Sequence, residues 1–207
     1  MIIDFTESYS IESVIFRYYN VSDADPEAEL GEFHVRETHL IPALLEVASG
    51  ERENFTIYGT DYLTPDGTCI RDYVHVSDLV DAHVLGLGWL QAGRAGRVFC
   101  LGSGQGFSVR GVIAEAQEVT GRAIHFESGP RRKGDAARLV CGSTAAMREL
   151  GWEPVRSTLS LMIEDAWRVR QCFLILRAGF RAVPPYLRRQ MRRSCFGVSG
   201  ASLTSSR

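Results

Sequence analysis

Two groups of side chains in this sequence are placed to do chemistry together. The first lies in YGTDYLTPDGTCIRDYVHVSDL, where Tyr58, Asp61, Tyr62, Asp66, Arg71, Asp72, Tyr73, His75 and Asp78 crowd around two strand-like runs and a turn. Arg71 falls in a run whose apolar neighbours predict partial burial, and a buried guanidinium needs an anion. Phosphate matches its fork of donors; an ion pair with Asp72 or Asp78 is the alternative. The second group is PRRKGD, which sets Arg131, Arg132 and Lys133 between Gly129-Pro130 and Gly134. Such a loop can close its amides and side chains around a pyrophosphate, or it can lie solvated. Two arginine sites with an aromatic strand between them favour a nucleotide diphosphate.

Other motifs carry less. Gly102, Gly104 and Gly106 follow a strand-like run and open a helix, with Glu127 further on. The spacing imitates a dinucleotide fingerprint but reads GxGxG, with Phe107 where the last glycine of GxGxxG belongs, so a plain tight turn is the expectation. The five histidines do not fall at metal-ligand spacings, and no metal site is expected from them. There is no GxSxG for serine chemistry and no CxxC for zinc or redox work.

The elements that must position these groups alternate. IIDFTESYS reads as the end of a helix, followed by SVIFRYYN as a buried parallel strand. In THLIPALLEVASG, Thr38 can cap a helix, Pro42 suits its first turn, and Gly50 can end it in the left-handed conformation. NFTIYG and CIRDYVHV read as strands, and Ser77 can cap a helix over SDLVDAHVLGLGWLQAG, where Leu79, Ala82, Gly86 and Trp89 share one face. Then come strand RVFCLG, helix FSVRGVIAEAQEVTG and strand RAIHFE, a βαβ rhythm. Ser108 can cap that helix, but Gly111 replaces the Glu of a capping box and costs roughly 1 kcal/mol against Ala. A short strand LVC, a capped helix STAAMRELG and a helix from STLSLMIEDAWRVR complete the body. The fold class is α/β.

Composition agrees with a globular protein: 207 residues, 45% hydrophobic and 23% charged, with no uninterrupted apolar stretch long enough to span a membrane. The start lacks a signal-peptide pattern, so a cytoplasmic protein is expected. Charge is uneven, because nine arginines and no acid follow Asp165. Residues 169–207 are therefore expected to form an atypical basic tail, partly disordered after Pro184 and Pro185, with residues 1–168 as the body. The tail identifies no clear nucleic-acid or membrane partner.

FRYYNVSDADP, GEFHVRETHLIP, TIYGTDYLTPDGTCIRDYVHVSDLVDAH, CLGSGQGFSVRGVI, PRRKGD and RELGW occur in an order that resembles the UDP-glucose 4-epimerases, a branch of the extended short-chain dehydrogenase/reductases and of the NAD-dependent epimerase/dehydratases. The resemblance covers about residues 1 to 168. It implies the C-terminal, substrate-binding part of an extended Rossmann-type epimerase, an incomplete parallel sheet with a small mixed subdomain. In that family a bound NAD takes hydride from C4 of the sugar and returns it to the opposite face, interconverting UDP-glucose and UDP-galactose. The intact enzymes are often homodimeric.

By position, the resemblance places Tyr18 and Tyr19 at the strand end near the nicotinamide, with Asn20 on the diphosphate. His39 and Leu40 begin the helix that covers the substrate, and Thr56, Ile57 and Tyr58 line the uracil. Arg71 and Arg132 match the diphosphate-binding arginines, Asp135 the acid that takes a ribose hydroxyl, and Leu139 a pocket residue whose size varies with the sugar. Departures are Tyr19 for Phe, Phe33 for Asp, and Gly142 and Ala146 for Asp and Lys. No catalytic residue can be assigned. Lys133 is the sole lysine and Gly129 stands four residues before it, so the Tyr-x-x-x-Lys pair is absent, as is the NAD glycine fingerprint. The expectation is a fragment, binding UDP-sugar but not NAD by itself, with a separate N-terminal half as a possible partner; a non-catalytic UDP-sugar-binding module or the remnant of a decayed or split gene is the alternative.

Overall fold

The computed structural model describes residues 2–22, 24–34, 37–94 and 96–177. The Arg-rich and Ser-rich segment after 177, with Pro184 and Pro185, lies outside them. The chain runs α1 (Ile2–Tyr9), β1 (Val14–Arg17), β2 (Asn20–Ser22), α2 (Leu40–Ser49), β3 (Phe55–Tyr58), β4 (Ile70–Arg71), β5 (Tyr73–His75), α3 (Val76–Gln91), β6 (Arg97–Cys100), β7 (Phe107–Ser108), α4 (Val109–Thr120), β8 (Phe126–Gly129), β9 (Arg138–Leu139), a π-helical turn (Ala146–Leu150) and α5 (Leu159–Arg177).

Parallel pairing dominates. β1 pairs with β6, β2 with β5 and β3 with β8, all parallel, while β4 lies between antiparallel β7 and parallel β9. The run expected as one strand, SVIFRYYN, breaks at Tyr18 and Tyr19, so its halves serve different sheets. CIRDYVHV divides at Asp72 in the same way. The βαβ rhythm after Arg97 exists in sequence, but β6 and β8 never become neighbours. β8 also starts later than RAIHFE suggested: the Ile124 amide is taken by the Gln117 side chain, and pairing begins where the His125 carbonyl accepts from the Phe55 amide.

Two cores hold these pieces. Leu44 and Leu45 of α2, Ile57 of β3, Val112 and Ile113 of α4, and Met162 and Ile163 of α5 form one. Each such fully buried aliphatic side chain is worth about 1.5–3 kcal/mol, enough to hold a four-residue strand that propensity alone would not. Leu79 and Ala82 of α3, Phe99 of β6, Leu101 and Trp152 form the other. The expected α3 face is present, and Gly86 explains how close it sits: a Cβ there would fall 2.7 Å from the Phe16 ring of β1.

Helix ends differ from the expectation in two places. Thr38 does not cap α2; the Glu37 carboxylate accepts from the Thr38 and His39 amides at 2.8 and 2.7 Å. Ser77 does not cap α3; the His75 ring accepts from the Ser77 amide at 3.0 Å. At α3 an imidazole two residues earlier does the work expected of a hydroxyl, whereas at α2 the N-cap His39 makes no side-chain cap bond and Glu37 holds the two amides just before the helix. Ser108 does cap α4, accepting from the Gly111 amide, and Gly50 closes α2 at φ +80°.

The expected boundary between 168 and 169 falls inside α5, whose Arg170 is buried and bonded to Glu51. Phe33 stacks on Phe173 of the same helix with ring centroids 4.1 Å apart, which gives an aromatic residue at that position a packing role. Among the described residues, no helix is long and apolar enough to cross a membrane.

Candidate functional site

A cavity of about 470 Å³ opens between the ends of β2, β3 and β4, the start of α2, and the loop after β8. Sheet register explains its basic wall. β3 and β8 end together at Tyr58 and Gly129, and the Gly59 amide bonds the Gly129 carbonyl at 3.0 Å. The PRRKGD loop must therefore start beside the Tyr58 ring. It turns at Gly134 (φ +82°), the Asp135 amide bonding the Arg132 carbonyl, and lays the Arg132 guanidinium over Tyr58, 4.1 Å from the ring centroid. Arg131 does the same over Tyr62 at 4.2 Å, while its Nε donates to Asp61 at 2.6 Å.

Arg71 enters from β4, whose parallel partner is Leu139. Its side chain is mostly buried, and it pairs with Asp135, not with Asp72 or Asp78, while a second nitrogen donates to the Ile70 carbonyl. Asp72 and Asp78 are unavailable because each is fully engaged elsewhere. The Asp78 carboxylate accepts from the Arg156 amide and from Ser157 Oγ. Asp72, buried to 1% exposure, accepts from the amides of Ser103, Gly104 and Cys141 and from Ser103 Oγ, all within 2.6–3.1 Å.

That cluster also answers the question of the glycine loop. A Cβ at Gly102 would stand 2.5 Å from the Asp72 carboxylate, so glycine is required there for a close approach to the chain's own anion. The loop amides that would cradle a dinucleotide pyrophosphate already hold Asp72. The residues here do not fit the NAD pyrophosphate, and GxGxG is a tight turn wrapped on a carboxylate.

Of the positions singled out in the sequence, Asn20, His39, Leu40, Thr56, Ile57, Tyr58, Arg71, Arg132 and Asp135 line the cavity, as does Tyr19. Tyr18 and Leu139 do not. Asn20 spends its side-chain amide on the Asp72 carbonyl at 2.7 Å, and so fixes β2 against the Arg71–Asp72 segment. Sequence reasoning missed Glu32, His34, Thr38 and Cys69, which also line the cavity, as does Tyr73 of the first group of side chains. Tyr73 and Cys69 face inward from the same aromatic-rich strands, and burial raises the pKa of both, keeping them neutral. The alternation of CIRDY around Arg71 would have found Cys69 as well. His34 and His39 are brought together with Glu37 at the start of α2, their ligand atoms all within 4.8 Å. Spacing alone gave no expectation of a metal-ligand group among the histidines; local folding, not a standard spacing, brings these side chains together.

Residues 1–102 match the NAD dependent epimerase/dehydratase family. The UDP-glucose 4-epimerase of Halalkalibacterium halodurans is 48% identical over 161 residues, which are 78% of this chain and 48% of that protein. A solved UDP-glucose 4-epimerase superposes with a TM-score of 0.79 at 48% identity, covering 83% of this chain and 53% of that one. The Bifidobacterium longum UDP-glucose 4-epimerase, solved with NAD+ and UDP, superposes at 0.76 with 34% identity, over 82% of this chain and 50% of that one. The chain thus spans about half the length of the curated relatives it matches. With its parallel strand pairs, its small mixed sheet and these matches, the chain belongs to the NAD-dependent epimerase/dehydratase family and shares the Rossmann-type fold of UDP-glucose 4-epimerases.

Proposed function

We propose that this chain is the UDP-sugar-binding, C-terminal part of a UDP-glucose 4-epimerase, and that NAD and the proton-transferring Tyr-x-x-x-Lys pair are supplied from outside it. The observation that carries this reading is the convergence of Arg71, Arg132, Asp135, Tyr58 and Asn20 on one cavity of about 470 Å³. That volume lies in the range of ordinary small-molecule sites.

Binding then amounts to an exchange of partners. Asp135 turns from Arg71 to a ribose hydroxyl, and the released Arg71 donors take the diphosphate. Arg132 gives up its place over Tyr58, a contact worth about 0.5–1 kcal/mol when exposed, for a charge-assisted bond to phosphate worth about 1.5–3 kcal/mol. The Arg132 exchange is downhill, and it uncovers the Tyr58 ring for the uracil. Thr56 and Ile57 extend the same wall, with His39 and Leu40 at the start of the covering helix. Leu139, whose strand pairs with Arg71 but whose side chain stands off the cavity, could bear on the sugar only through the position of β4.

Calorimetric titration of the folded chain with UDP is expected to give 1:1 binding, weakened roughly tenfold or more by Arg132→Ala. Folded protein that releases no heat with UDP or UDP-glucose would overturn the reading. The single lysine, Lys133, and the engaged glycine loop favour a second reading, a UDP-sugar-binding module with no catalytic role.

A further inference from the structure

We propose that His34, Glu37 and His39 form a binding site for a borderline divalent transition-metal ion of the zinc class on the wall of the cavity. Two imidazoles and one carboxylate converge there, with all ligand atoms within 4.8 Å of one another. His39 Nδ1 and Glu37 Oε1 are 2.9 Å apart, slightly shorter than the ~3.4 Å edge of a tetrahedron with metal–ligand bonds of about 2.1 Å. A small opening of that contact admits an ion in place of the shared proton.

The support is unequal, as a chelate needs. The Glu37 side chain is only 2% exposed and is held by the Thr38 and His39 amides, so one ligand is preorganised just before the start of α2. His34 and His39 are 40% and 59% exposed, and their rings are 5.3 Å apart and tilted by 47°, free to adjust by rotation. Glu32 contacts His34 Nε2 at 2.5 Å, the carboxylate–histidine support that orients metal-bound imidazoles. With neutral imidazoles the two carboxylates leave a local charge that a dication offsets. Nitrogen donors select zinc, cobalt or nickel over magnesium and calcium, which prefer all-oxygen sites. Glu32, His34 and His39 also line the cavity, which puts both imidazole ligands on its wall.

The test uses the untagged full chain titrated with Co2+, followed by its visible d–d absorption, and with Zn2+ in competition. One equivalent is expected to bind. His34→Ala and His39→Ala should each weaken binding at least about tenfold, the lower end of what loss of even an outer-shell partner costs, while His125→Ala, at an exposed histidine remote in sequence, leaves it unchanged. A circular-dichroism melt confirms that each variant is folded. No saturable Co2+ signal in the parent chain, or a signal that survives both substitutions at full affinity, overturns the proposal. Neither outcome depends on whether UDP binds.

Discussion

His75 shows how much a single side chain can be asked to hold. Its ring is fully buried, Nδ1 accepts from the Ser77 amide at 3.0 Å, and Nε2 lies 3.2 Å from Asp165. Both contacts are met by one neutral tautomer, with the proton on Nε2. Burial is the largest influence and lowers the pKa below the ordinary 6.5, against the opposing pull of Asp165. The unfolded chain therefore binds this proton first as pH falls. The stabilisation is complete above about pH 6.5 and is lost below it, down to the folded-state value. Urea denaturation is expected to show stability falling more steeply between pH 7 and 5 in the parent than in His75→Gln, whatever their absolute stabilities. Parallel pH profiles would show that His75 is not the group responsible.

Helix α3 makes a cleaner test of packing because it carries two glycines two residues apart. Gly86 faces β1, where an added methyl would meet the Phe16 ring at 2.7 and 2.9 Å; Gly88 has nothing within 4 Å. Neither adopts a positive φ. Gly88→Ala should therefore stabilise by about 0.5–1 kcal/mol through helix propensity alone. Gly86→Ala gains the same propensity but must displace an aromatic ring, an overpacking that typically costs about 1–3 kcal/mol, and the net change should be destabilising. Thermal melts of the two variants moving in the same direction would count against this account of the α3–β1 contact. Sequence periodicity placed Gly86 on the inward face with Leu79 and Ala82. It had no means of saying that Phe16, far away in the chain, was the neighbour.

Across the whole molecule, the most telling feature is how little sheet there is to bury. β1 and β6 form a two-stranded parallel pair, yet parallel sheets are ordinarily covered on both faces and rarely so narrow. Ile2, Phe5 and Tyr9 of α1 and Val80, Val84 and Leu87 of α3 leave apolar side chains exposed. These surfaces, and a length about half that of the matched relatives, support the proposal that a complementary half completes the enzyme. Co-expression with the N-terminal half of a matched UDP-glucose 4-epimerase is expected to yield NAD-dependent UDP-galactose epimerisation, with none expected from the chain alone. A stable, UDP-binding complex with no activity would favour the non-catalytic module instead.

Local chemistry was legible wherever one short segment contains both the group and its reason. The cap at Ser108, the left-handed stop at Gly50, the α3 face and the failed dinucleotide fingerprint were all readable because the deciding residues lie within a few positions of one another. Family resemblance extended this to the cavity-lining residues from Asn20 to Asp135. The sequence could not say whom a charged group would meet. Arg71 pairs with Asp135, sixty-four positions away, instead of its neighbour Asp72, because β4 runs beside β9 while Asp72 turns into the glycine loop. Glu37, not Thr38, orders the turn into α2, because its buried carboxylate reaches two amides at once. His34 and His39 become a metal-ligand pair only when the start of α2 folds them onto Glu37. Residue types and short spacings thus determined the elements and the candidate binding residues, while strand register and loop closure, which depend on contacts distant in the chain, decided which charges meet and where the cavity opens.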